Sequence, residues 1–215
     1  METRNRLPFA EQVHASRFLV DNTLESAEII ALMTPFGFAI AQIQALVPMI
    51  ETAESEISEQ DSQSGSRSRA TETLLEADKD ARADFQEVVQ LTRLVFATDK
   101  TRLAELGIVG VMPRSVAGFL QRARGFIAAY RSHSEIAAAL VVRSVTAARI
   151  AALEAKLDTL LTADEAQQRQ KGEALQATQR QNAALKAMND ALGPFARYAK
   201  LALKARPDLL KALGL

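Results

Sequence analysis

Few side chains in this sequence stand at spacings that could do chemistry. His14 and His133 are its histidines. His133 sits in "RSHSE", with Glu135 two residues on. An i, i+2 pair diverges on a helix, so the two make a poor shared metal site. No HExxH and no Glu-x-x-His pair is present. Glu72, Glu76, Asp80 and Asp84 form a ladder at i+4 spacing that could gather a divalent cation. They lie off the apolar stripe of their helix, beside Lys79 and Arg82, and read as a solvated face. Residues 109–150 hold Arg114, Arg122, Arg124, Arg131, Arg143 and Arg149 against Glu135 alone. Residues 51–90 are predominantly acidic. Arg122, Arg124 and Arg131 with His133 are the candidate anion or partner contacts. The favoured reading of this segregation is that the two copies, or two subunits, complement each other's charge.

Cysteine is absent, which excludes disulfides, thiolate metal sites and a Cys nucleophile. No G-x-S-x-G, P-loop or dinucleotide-binding glycine motif appears. "GIVGVMPRS" (107–115) reads as a linker. No residue is assigned a catalytic, cofactor-binding or metal role, and no cofactor is expected.

The elements that must carry these residues are helical. Ala, Leu, Glu, Gln, Arg and Lys dominate, Gly and Pro are few, and alternating strand patterns are missing. The fold class is all-α. The formal net charge is +0, and no aromatic residues interleave the arginines, so nucleic acid is not an expected partner. The start "METRNRLPFAEQ" has no apolar leader core, which points to the cytoplasm. Ile29–Ile50 carries no charge but contains Pro35, Gly37, Pro48 and two glutamines. It reads as a corner between buried helices, with a concealed membrane hairpin as the alternative.

The chain is written twice. Slid by about 107 positions, residues 36–108 fall on 143–215 with about 16 of roughly 73 positions identical. That is modest for Ala-rich helices, and the placement of the matches carries more weight. "IQAL" (43–46) meets "IAAL" (150–153), "QSGSRSRAT" (63–71) meets "QKGEALQAT" (170–178), and "RLAELGI" (102–108) meets "LLKALGL" (209–215). Upstream the match is looser, with Leu7-Pro8 resembling Met112-Pro113. The expectation is a tandem-duplicated antiparallel helical bundle with copies 1–108 and 109–215 packed as one globular unit.

Apolar stripes at three-four spacing recur in both copies. Ile43, Leu46, Ile50, Ala53 and Ile57 answer to Ile150, Leu153, Leu157, Leu160 and Asp164. Leu74, Ala81, Phe85 and Val88 answer to Gln181, Met188, Leu192 and Phe195. The stripes fade around Gly65 and Gly172, so 58–70 and 164–174 read as hairpin tips. Each copy should then hold three long helices and a short one: 9–33, 39–61, 67–97 and 100–106, then 114–140, 146–168, 173–205 and 207–213. Pro48 and Gly193-Pro194 should kink or break theirs. In the second copy the acidic ladder becomes Gln179, Ala183, Ala187 and Ala191, a row of small residues expected to be packed.

Each copy closes on the same phrase. Asp99 is a candidate N-cap and Pro207 a first helical residue. Gly107 and Gly214 should take the left-handed position after a short helix, with Ile108 and Leu215 folding back on Leu103 and Leu210 and buried there.

These readings favour a non-enzymatic bundle that acts through protein contacts, with a protein partner or a second copy. The alternatives are a membrane-active bundle using 29–50, and an anion or ligand binder using the Arg-rich helix 114–131.

Overall fold

The computed structural model describes residues 8–215; Leu7 of the Leu7-Pro8 pair and the residues before it lie outside that range. The chain is all-α, with no strand among the described residues. Helices α1 (Phe9–Glu25) and α2 (Ala27–Met33) lead through a 3-10 turn (Thr34–Phe36) to α3 (Ile40–Gln44) and α4 (Val47–Val95). Then come α5 (Lys100–Glu105), α6 (Val116–Ser132), α7 (Ser134–Val141), α8 (Ala147–Ala202) and α9 (Pro207–Ala212).

Residues 58–70 and 164–174 are helical throughout, so the expected hairpin tips do not form. A single glycine in a helix costs about 1 kcal/mol, which a long helix absorbs. No proline accompanies Gly65 or Gly172, and local bonds such as Gln63 Nε2 to Glu59 Oε1 (2.8 Å) support the ladder. The stripes fade there because the helices are polar all round, not because they turn.

Breaks fall elsewhere. The expected helix 9–33 ends at Ser26, whose side chain accepts from the Ile29 amide and starts α2. The expected helix 114–140 breaks at His133. Pro48 stands in the first turn of α4, just after a break at 45–46, where its missing amide costs no intrahelical bond. Around Pro194, α8 continues unbroken, with Leu192, Phe195 and Ala196 all buried.

Two compact units result, one made of the described residues up to Gly65 with Gly172–Leu215, the other of Ser66–Lys171. They do not coincide with 1–108 and 109–215. Each of α4 and α8 gives one part to each unit.

The first unit's core gathers Val13, Leu19, Val20, Ile29, Met33, Ile43, Ile50, Leu185, Met188 and Phe195. The second unit's core gathers Phe85, Val88, Phe119, Phe126, Ile136, Leu140, Ile150, Leu153 and Leu157. Phe85 meets Phe119 and Phe126 edge-on, at ring-centroid distances of 5.7 and 5.6 Å. All the named positions of the apolar stripes are buried or half-buried. The expected small-residue contact row is not: Gln179, Ala183 and Ala187 are exposed and Ala191 is half-buried. Stripe residues on the other side of α8 already fill that unit's core.

A shift of 107 residues carries α1 onto α6 and α5 onto α9, end for end. The buried set of α1 (Gln12, Val13, Ser16, Leu19, Val20, Thr23) falls on that of α6 (Phe119, Leu120, Ala123, Phe126, Ile127, Tyr130). The register therefore extends upstream of the stretch where sequence identity shows it.

The closing turns are built alike. Asp99 accepts from the Arg102 amide, and Pro207 opens α9. Gly107 and Gly214 have φ of 66° and 67°. Ile108 N donates to Leu103 O (3.2 Å) and Gly107 N to Ala104 O (2.9 Å); Leu215 N donates to Leu210 O (3.0 Å) and Gly214 N to Lys211 O (3.1 Å). These are the paired bonds of a Schellman cap. Ile108 is buried, whereas Leu215 is only half-buried against its core.

Candidate functional site

The arginine face lies in the second unit, where α6 runs beside the N-terminal part of α8. Turn spacing puts Arg124 and Arg131 on the side of α6 away from Phe126 and Tyr130, and there they meet carboxylates of α8. Arg131 holds Glu154 through two bonds, of 2.9 and 2.6 Å, and Arg124 holds Asp158 at 2.8 Å. The donated hydrogen bonds of Arg131 are the main reason the Glu154 carboxyl lies below its ordinary range, with desolvation working against the shift. Arg122 donates to the Val111 carbonyl at 2.7 Å. His133 sits at the junction of α6 and α7, with Nδ1 2.9 Å from the Ala129 carbonyl oxygen. The structure thus gathers Arg124 and Arg131 in one shallow depression with Glu154 and Asp158, while Arg122 and His133 serve backbone groups. Protein carboxylates and a carbonyl engage the cations that an anion would use.

Charge is answered within this unit in other places as well. Arg149 meets Glu87 at 2.7 Å, and Lys156 meets Asp84 at 2.6 Å. Asp84 is thereby the one member of the acidic ladder that is half-buried; Glu72, Glu76 and Asp80 are exposed. No group of three or more His, Cys, Asp or Glu side chains suited to a metal ion occurs among the described residues.

Arg82 carries more than the sequence suggested. Its guanidinium bonds Asp78, donates to the carbonyls of Pro113 (2.8 Å) and Arg114 (3.0 Å), and stacks 4.4 Å over the Phe119 ring. It pins the 107–115 linker to α4. Its partners lie about 30 residues away, so no local pattern announces it.

The other surfaces of note are apolar. In the second unit, Leu91, Leu94, Val95, Ala139, Val142 and Arg143 line a groove of about 610 Å³. Val142 is 80% exposed and Leu94 75%. In the first unit, the corner between α2 and α4 exposes Leu32, Phe36, Ile40 and Met49. That corner packs on the end of α8, with Phe36 and Phe38 ring centroids 6.2 and 5.7 Å from that of Tyr198. The uncharged segment is therefore only partly buried, with Ile29, Met33, Ile43, Leu46 and Ile50 turned inward. No single helix among the described residues is long and apolar enough to cross a membrane; residues 27–36 and 40–95 pass such a test only as a pair bent by 98°.

No family model, curated protein or solved structure matches the chain.

Proposed function

We propose that this chain is a non-enzymatic helical-bundle protein acting through protein contacts, as a scaffold or assembly component. The observation that carries this reading is the second unit's groove, where Leu94 and Val142 stand largely in solvent beside Leu91 and Val95. Exposed apolar surface of this kind, rimmed by an arginine, is what a partner's apolar helix face covers. The candidate arginines are spent on intrachain acceptors, which draws support away from an anion-binding role.

The architecture we infer is a tandem duplication folded as antiparallel helices. The 107-residue register of element ends and buried positions supports the first part. The second is supported by the ion pairs Asp84–Lys156 and Glu87–Arg149, which step in opposite directions along α4 and α8.

The test is light scattering and crosslinking of the full chain beside a Leu94→Asp, Val142→Asp variant. A self-associated species or a stoichiometric partner that the variant loses supports the proposal. A wild-type chain that stays strictly monomeric and retains no partner contradicts it.

A further inference from the structure

The first unit's corner differs from its counterpart in chemistry. Under the 107-residue shift, Lys156 and Asp84 of the second unit become Met49 and Ala191, and Arg149 and Glu87 become Gln42 and Pro194. Two ion pairs are thus replaced by four uncharged residues. Of the acids bordering the uncharged segment, Glu28 shares Arg206 with Asp208, and Glu51, 3.8 Å from Arg17, shares it with Glu54. Ile40, at 50% exposure, and Leu201, at 56%, lead the apolar surface, with Phe36 and Tyr198 in contact beside them. Arg197, Lys200 and Lys204 are exposed within two turns of Tyr198, and none of them makes an ion pair with a described residue.

We propose that this corner seats on an anionic lipid bilayer. Ile40, Phe36, Leu201 and Tyr198 enter the interface, and Arg197, Lys200 and Lys204 face the headgroups. Apolar and aromatic side chains next to unpaired cations are the combination that holds a helix in the plane of an anionic membrane surface. Charge complementarity selects the occupant: the three cations without an ion pair to a described residue, Arg197, Lys200 and Lys204, outnumber the one carboxylate left over where Glu28 and Asp208 share Arg206. The inference goes beyond the protein-contact reading and stands on a different surface from the groove of the second unit.

The experiment is flotation of the full chain with vesicles of phosphatidylglycerol mixed equally with phosphatidylcholine, against pure phosphatidylcholine. Binding to the anionic vesicles alone, weakened by added salt, is the expected result. Ile40→Gln with Leu201→Gln, both at well-exposed positions, should weaken it by more than about tenfold. Arg197→Gln and Lys200→Gln should each weaken it about fivefold. Leu94→Ser, in the other unit, should leave it unchanged. Circular dichroism of each variant checks that the helices are kept. No binding to anionic vesicles, or binding that Ile40→Gln with Leu201→Gln does not alter, overturns the proposal. So does a wild-type dimer, indifferent to vesicles, that the same double variant turns into a monomer, since the patch would then be a protein interface.

Discussion

The two units use the same register of buried positions and finish their surfaces differently. In the second, α6 is tied to α8 by Arg131–Glu154 and Arg124–Asp158, and α4 to α8 by Arg149–Glu87 and Lys156–Asp84. In the first, the counterparts of Arg131 and Glu154 are Leu24 and Val47, both packed against the core. The Arg124–Asp158 pair alone has a charged counterpart, Arg17 with Glu51. Beneath the surface the same exchange occurs. Arg82 over the Phe119 ring becomes Asn189, donating to Gln12 at 3.3 Å. Core positions keep their register, while the outer contacts change from ionic to apolar and the helix corresponding to the start of α8 is broken at 45–46.

The largest effects should come from the shared core. Phe126 and Leu19 occupy corresponding positions and are both fully buried. Phe126→Ala should cost about 3–5 kcal/mol and Leu19→Ala about 2–5 kcal/mol. If the units unfold separately, calorimetry will show each substitution shifting a different transition. A uniform shift of one transition by both would mean that the units melt as one.

Arg82→Ala comes next, at about 2–3 kcal/mol, because it leaves linker carbonyls without a charged donor and strips the Phe119 ring. Asn189→Ala should cost about 1 kcal/mol, the worth of one neutral hydrogen bond. Urea titration of the two variants tests whether the ionic version of the contact is the stronger.

Glycines divide by conformation. Gly65→Ala and Gly172→Ala should each raise stability by about 1 kcal/mol, since an added Cβ meets nothing within 4 Å and the helix gains propensity. Gly107→Ala and Gly214→Ala should lower it by about 1–2 kcal/mol through the left-handed backbone they impose on an L side chain. Thermal melts that show the opposite sign at Gly65 or Gly172 would restore the hairpin reading.

The smallest effect concerns pH. Folding lowers the Glu154 pKa, so its contribution is present above the ordinary carboxylate range and is lost as pH falls through the depressed value. Arg131→Gln should flatten that part of the acid limb of the stability curve. Leu24→Gln in the other unit should leave its shape unchanged.

Legibility followed distance along the chain. The caps at Asp99, Pro207, Gly107 and Gly214 could be read because each is a few residues long. The stripes could be read because a helix repeats its face every three to four residues. A polar helix and a hairpin tip both look like a fading stripe, so Gly65 and Gly172 misled. Ser26 carried a legible signal, a hydroxyl ahead of an acidic first turn, that the continuous apolar pattern on either side obscured. The acceptors of Arg124 and Arg131 lie 34 and 23 residues away. Only the packing of α6 on α8 selects them, so charge segregation along the chain could suggest that the two regions answer each other but not which residues pair.

The central claim is that the compact units cut across the duplication we propose. The most direct test expresses residues 66–171 alone, beside 109–215. The 66–171 fragment contains a whole unit and its core, and should be helical with a cooperative thermal transition. The 109–215 fragment, one copy of the proposed repeat but only a part of each unit, should not fold as a monomer. A disordered 66–171 beside a cooperatively folded, monomeric 109–215 would contradict the account.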